Sequence, residues 1–245
     1  MNESQHNPYI IPLSILISGT LIAGAVMYVG DNGFGGGAPA QLGAAAGANN
    51  AAVPTVPGAE LEAVRALAEA DHVLGNPSAP VKIIEYSDLE CPFCSRFHES
   101  MKQVMDEFGK DGKIAWVYRH FPLEQIHSNA RPGANGAECA NELGGTQAFW
   151  DFVDAVFARQ EEGLGESLFL QVAGDIGLDQ NAFSSCVSSG KHNDTIDVDM
   201  ENAIASGGQG TPYSIIIAAD GSKQAVNGAV PYTTLKSQIE QALGQ

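Results

Sequence analysis

The chain of 245 residues is long enough for one substantial core with a tail or for two small domains, since domains most often run to about 100–150 residues. Its 29 acidic side chains against 12 basic ones give a formal charge of −17. That excess, with no cluster of Lys and Arg, argues against nucleic acid and anionic membrane surfaces as partners, because a phosphate-binding face needs concentrated positive charge.

Residues 10–29 carry no charged side chain, and twenty helical residues span about 30 Å, the thickness of a bilayer's hydrocarbon core. The stretch is read as a single-pass transmembrane anchor. A cleaved secretory signal and a buried soluble helix are the alternatives; against the signal, the apolar run is long, a charged n-region is missing, and Ala38-Pro39-Ala40 lies well past it. The flanks carry no Lys or Arg, so charge sets no orientation. Residues 30–58 are rich in Gly, Ala, Asn and Pro and bury too little apolar surface to offset their ordering entropy, which predicts a flexible linker. Over 59–71, Leu61, Val64, Leu67 and Ala68 recur at helical spacing and predict a short helix.

Residues 72–245 read as strand, helix, strand, helical block, strand, strand, helix. Residues 81–87, VKIIEYS, are branched and aromatic, as a buried strand requires. Phe97, Met101, Val104, Met105 and Phe108 then recur at helical spacing up to a stop at Gly109, a core stripe rather than a methionine ligand set. Residues 113–121 predict the second strand. The block at about 128–206 is helical, with one apolar stripe through Phe149, Phe152, Val153, Val156 and Phe157 and another through Leu168, Val172 and Ile176. Residues 214–221 and 223–229 predict a hairpin turned at Asp220-Gly221, and Leu235 and Ile239 mark a closing helix.

Cys91 and Cys94, separated by Pro92 and Phe93, stand where the first strand gives way to helix. A thiol attacks a disulfide only as thiolate, and the unpaired N–H groups and dipole of a helix start stabilise an anion. Pro92 suits the first helical position. Cys94, one turn on, can close a small ring, which makes Cys91 the exposed attacking thiol and Cys94 the buried resolving one. Glu90 opposes ionisation by adding a negative charge nearby. A structural disulfide here would be strained and exposed. A zinc site would need two more sulfur or imidazole ligands; no second C-x-x-C exists and His98 lies along the same helix, so no metal is expected. Glu85 interrupts an otherwise apolar strand, where it either faces the core, at a cost unless partnered or protonated, or points outward from a half-exposed strand. His98, His120 and His127 read as helix-surface, strand-end and loop residues.

Four segments, HVLGNPSAPVKIIEYSDLECPFCSRFH, YRHFPLEQIH, GTPYSIII and NGAVPYTTL, resemble in content and order the DsbA-like thiol:disulfide oxidoreductases, specifically their membrane-anchored single-domain relatives. The resemblance covers about residues 72–243. It implies an α/β, thioredoxin-like fold with an inserted α-helical domain, and Pro212 as a cis-proline whose loop faces the cysteines, with Thr211 contacting bound substrate. It further implies that Glu85 is a buried acid taking the proton of Cys94, and that Cys139 and Cys186 are joined as a structural disulfide where two free thiols are the alternative. Phe93 replaces the histidine of the family's strongest oxidants, so Phe93 and Glu90 together predict an intermediate redox potential. The activity implied is that of a monomeric enzyme without cofactor, held in the cell membrane with its catalytic domain outside the cytoplasm. It would donate the Cys91–Cys94 disulfide to reduced or unfolded substrate proteins and be reoxidised by a quinone-linked DsbB-like or vitamin-K-epoxide-reductase-like membrane protein. A disulfide reductase or isomerase, and a membrane-tethered peptide-binding module or holdase, are the alternatives.

Overall fold

The computed structural model describes residues 61–245, so the anchor expected at 10–29 and the linker at 30–58 lie outside the described residues. Among those described, no helix is long and apolar enough to cross a membrane.

Two strands form the centre of the fold. Val81–Ser87 (β2) and Ile114–His120 (β3) are parallel partners, with Glu85 opposite Tyr118 and Ser87 opposite His120. Their residues are buried on both faces almost throughout, which is why both sequences lack the alternation of a half-exposed strand. His72–Gly75 (β1) adds antiparallel to β3 at one edge, while Tyr213–Ile217 (β4) and Lys223–Asn227 (β5) extend the other side as an antiparallel hairpin. The sheet order is β1-β3-β2-β4-β5. The hairpin turns at Gly221, whose φ of 83° is a conformation that side chains disfavour. β1 escaped the sequence reading because four residues at an edge carry too little periodicity.

Pro92–Val104 (α1) packs Phe97, Met101 and Val104 on one face of the sheet beside Ile83, Trp116 and Tyr118, and Tyr232–Ala242 (α6) adds Leu235 and Ile239. The apolar stripe of α1 continues through a π-helical turn, Met105–Gly109. The insertion comprises Ala130–Ala158 (α2), Glu166–Asp175 (α3), Gln180–Ser189 (α4) and Asn193–Ala205 (α5). Gly145, at φ 76°, bends α2. Phe149, Phe152 and Val153 carry the insertion into the same core. Cys139 in α2 and Cys186 in α4 are bonded across 47 residues of sequence, a closure that stabilises the fold by about 4 kcal/mol if unfolded-state entropy is the whole effect.

The helix expected over 59–71 is reduced to a single 3₁₀ turn, Leu61–Ala63. Arg119 explains the difference. Its buried guanidinium takes the carbonyls of Arg65 (3.1 Å) and Ala66 (3.3 Å), which a helix would need for its own ladder. It also makes a two-pronged pair with Asp71 at 2.9 and 3.0 Å and donates to Tyr86 Oη and Asn202 Oδ1. The segment therefore runs extended over the second face of the sheet, where Val64 joins Ile84, Tyr86, Val117 and Ala203.

Candidate active site

Beyond β2 the chain turns through Asp88, whose buried carboxylate accepts hydrogen bonds from the backbone N–H groups of Glu90 (2.8 Å) and Leu123 (2.9 Å) and lies 2.8 Å from His127 Nδ1. This locks the approach to α1. Cys91 is the cap residue of that helix, with extended φ and ψ of −76° and 121°; its sulfur makes no capping bond, and Pro92 occupies the first turn. The Thr211–Pro212 bond is cis, and the Cys91 thiol donates to the Thr211 carbonyl at 3.5 Å. From the insertion, Gln160 donates to the carbonyls of Leu89 (2.6 Å) and Cys91 (3.2 Å). Under these neighbours Cys91 is only 3% exposed, so it is not the open thiol that its place at a helix start suggested.

Cys94 is fully buried, and its sulfur accepts from the Asp88 N–H at 3.4 Å. Beneath it, Glu85 points into the core and is fully buried; Trp116 Nε1 donates to its Oε2 at 2.8 Å. The other oxygen, Oε1, has no hydrogen-bond partner among the described residues, and the same holds for the hydroxyls of Ser87 and Tyr118. The register places these groups together, since Glu85 and Ser87 share one face of β2 and Tyr118 is the cross-strand neighbour of Glu85.

Comparison with known proteins bears on this arrangement directly. A family described as Thioredoxin matches residues 67–241. Among solved structures, DsbA2 of Pseudomonas aeruginosa is 30% identical with a TM-score of 0.61, covering 74% of this chain and 98% of its own. The α-DsbA1 of Wolbachia pipientis is 26% identical with a TM-score of 0.65, covering 76% of this chain and 96% of its own. The chain belongs to the DsbA-like thioredoxin-fold family. A curated relative of another kind, the Na(+)/H(+) antiporter NhaA 3 of Salinispora tropica, is 32% identical over 175 residues, which is 71% of this chain and 24% of the antiporter. The chain spans between 14% and 24% of the length of the first antiporters it matches.

In this DsbA-like site the two thiols are strongly unlike. The Cys91 thiol is brought down to about 6, first by the hydrogen bond from the Cys94 thiol, against its own burial, and then by Thr211 and the N–H groups of Cys94 and Phe93. Thr211 Oγ1 is buried and has no hydrogen-bond partner among the described residues, so its hydroxyl is free to turn to the thiolate. The helix start thus contributes to the ionisation, but the partner thiol contributes more. Cys94 is pushed well above the ordinary thiol range, by burial and then by Cys91 and Glu85. Burial also raises the Glu85 carboxyl, opposed by His98 and by its hydrogen bonds. Two groups that both resist ionisation because they are buried in one pocket form a natural pair for sharing a proton.

The remaining expected site residues fall differently. The Glu90 carboxylate is turned to Asn129, accepting from its N–H at 2.5 Å and from Nδ2 at 3.2 Å. Phe93 is 53% exposed, with the Arg96 guanidinium 4.4 Å above its ring. His98 is not on the helix surface but fully buried between Trp116 and Phe157, its Nε2 2.5 Å from Asp154 Oδ1. Gln160, Asp88 and His98 had no local signature in the sequence, because each acts through a contact with a distant segment.

Two outcomes follow for the reduced protein. Alkylation of Cys91 by iodoacetamide should rise with pH to a plateau with a midpoint near about 6. Because this folded-state value is depressed, the ionised thiol stabilises the reduced form fully above the ordinary thiol range, and the contribution fades as pH falls through about 6. A midpoint near 8.5, about that of a free thiol, would remove the asymmetry. Glu85→Gln should stabilise the fold at pH 7, where the buried carboxyl must either ionise in the core or hold a proton it would lose in water. At pH 4 the gain should vanish, since the acid is then largely protonated in both states. Urea unfolding at the two pH values measures it; equal gains would mean a packing effect.

Proposed function

We propose that this protein is an extracytoplasmic oxidant of protein thiols, donating its Cys91–Cys94 disulfide to reduced or unfolded substrate proteins. The observation that carries the reading is the asymmetry of the pair: one thiol ionises readily beside the Thr211–Pro212 loop, and the other is buried above an acid. A substrate thiolate attacks Cys91 Sγ, forming a mixed disulfide as the Cys91–Cys94 bond breaks. The electron pair leaves on Cys94 Sγ, which takes a proton, with Glu85 the buried acid whose charge bears on that sulfur. A second substrate thiolate then attacks the substrate's own sulfur, closes the substrate disulfide and releases Cys91 as a thiolate. Two electrons thus pass from substrate to enzyme. A sulfur with a low pKa is the better leaving group in that last step.

Thr211 and Pro212 are positioned to meet substrate backbone beside Cys91, a mode that needs little side-chain complementarity. Exposed Phe93 and Ile126 supply apolar contact for unfolded chains, Ile126 being 73% exposed on the loop that Asp88 holds against the site. The Cys139–Cys186 bond supports an oxidising compartment. The match to part of a Na(+)/H(+) antiporter supports a domain working at a membrane, in reach of a quinone-linked DsbB-like or vitamin-K-epoxide-reductase-like reoxidant. A Cys91 pKa of about 6 lies between the values of about 7 for thioredoxin and about 3.5 for DsbA. The potential should accordingly fall between their limits of about −270 and −120 mV.

The test is the redox state of Cys91 and Cys94 trapped by acid in living cells. A mainly oxidised pair supports donation; a mainly reduced pair assigns the site to a reductase or isomerase.

A further inference from the structure

Away from the cysteines, β1, β3 and α2 bring His72, His120 and Glu138 together in the interior. His72 stands opposite Tyr118 in the β1–β3 pairing. His120 lies two residues further along on the same face, so the two imidazoles are diagonal neighbours on the sheet. Glu138 aims one carboxylate oxygen at both: Oε1 is 2.8 Å from His72 Nε2 and 3.0 Å from His120 Nε2. None of the three side chains is more than 7% exposed. The His72 ring stacks on Phe149 at 3.5 Å, and His120 meets Tyr118 and Phe149 edge-on, so packing orients both rings.

We propose that His72, His120 and Glu138 form a binding site for a divalent transition metal, zinc above all, held by the two Nε2 atoms and the Glu138 carboxylate. Two imidazoles and one carboxylate are the protein ligands of zinc sites that keep a fourth position open, and imidazole nitrogen favours zinc over calcium or magnesium. The three donor atoms lie within 4.8 Å of one another. Zinc bonds of about 2.0–2.2 Å at tetrahedral angles set neighbouring ligands about 3.3 Å apart, so the Glu138 oxygen, now 2.8 and 3.0 Å from the two nitrogens, must draw back by a few tenths of an ångström to admit the ion.

A cleft of about 280 Å³, lined by His72 and Glu138 together with Arg65, Asp71, Asp194 and Asp199, opens onto the cluster and gives a path for the ion and for a water in the fourth position. Its local charge suits a cation. Arg65 is paired with Asp71 and Asp199, and Arg119 with Asp71, which leaves Glu138 with no arginine or lysine partner among the described residues. The neighbouring group of Cys139, Cys186 and His192 offers no comparable site, because both sulfurs are spent in the disulfide. A bound ion would clamp the edge strand and β3 to the insertion, and it would stabilise the folded chain by mass action.

The test uses tag-free full-length protein carrying Cys91→Ser and Cys94→Ser, so that the dithiol cannot bind metal, with the Cys139–Cys186 disulfide intact. Titration with Zn²⁺ should show one equivalent bound, and Co²⁺ should give visible d–d bands without thiolate charge transfer. In the same background, His72→Gln or Glu138→Gln should weaken Zn²⁺ binding by more than the about 10–100-fold that loss of an outer-shell partner costs, with circular dichroism reporting the fold. Should those variants unfold, the imidazole NMR resonances of His72 and His120 in the unsubstituted site decide, since both should shift on adding Zn²⁺. No stoichiometric binding, binding that leaves these resonances unmoved, or undiminished binding in a folded His72→Gln variant would overturn the proposal and leave the cluster a hydrogen-bonded clasp.

Discussion

Cys91→Ser and Cys94→Ser are each expected to reduce oxidation of a reduced, unfolded test protein to the uncatalysed rate, while only Cys94→Ser, offered a disulfide-bonded test protein, accumulates covalent complexes with it. The difference follows from the geometry. Cys91 is the sulfur beside the Thr211–Pro212 loop and the one that ionises readily, whereas Cys94 lies fully buried with its sulfur against the Asp88 N–H. Serine at 91 removes the only sulfur of the pair positioned for attack. In the Cys94→Ser variant the Cys91 thiolate attacks a substrate disulfide, one substrate sulfur leaves as thiolate, and the mixed disulfide survives because the thiol that would release it is gone. Non-reducing electrophoresis after acid quench separates the two outcomes. Complexes with Cys91→Ser, or unchanged catalysis in either variant, would reverse the assignment or show that the domain only binds peptides.

Arg119→Ala is expected to lower the unfolding free energy by about 3–5 kcal/mol, the cost of removing one partner from a buried ion pair. Asp71 would keep a buried carboxylate that the guanidinium now holds below the ordinary range, burial notwithstanding. The carbonyls of Arg65 and Ala66 would lose their donor as well, so the extended segment before β1 should loosen. Arg119→Ala combined with Asp71→Asn should recover part of the loss, because the stranded charge is then gone. Urea unfolding with an unchanged slope checks both. Arg119 lies on the face of the sheet opposite the cysteines, so exchange activity per folded molecule should stay the same. A loss below about 1 kcal/mol, the median for exposed pairs, would mean that the pair is hydrated in solution.

These two outcomes divide along what short sequence spans can carry. The positions of Cys91, Pro92 and Cys94 at the start of α1 were legible, because cap geometry and proline's missing N–H act within a few residues. The central strands were legible for a similar reason: VKIIEYS and IAWVYRH are buried on both faces and show it residue by residue. The cis bond before Pro212 and the Cys139–Cys186 pairing came only through likeness to a family, since no local rule specifies either.

What the local pattern determined, then, was where strands and helices lie and which thiol leads a helix, because apolar periodicity and capping are short-range. The tertiary structure alone decided which way Glu85 faces, that Cys91 lies nearly covered, that His98 is buried, and that Arg119 unwinds residues 65–71. It likewise joined His72, His120 and Glu138 across two strands and a helix. Each of these depends on a charge or polar atom finding its partner from a distant segment, and burial and pairing of that kind are properties of the assembled core.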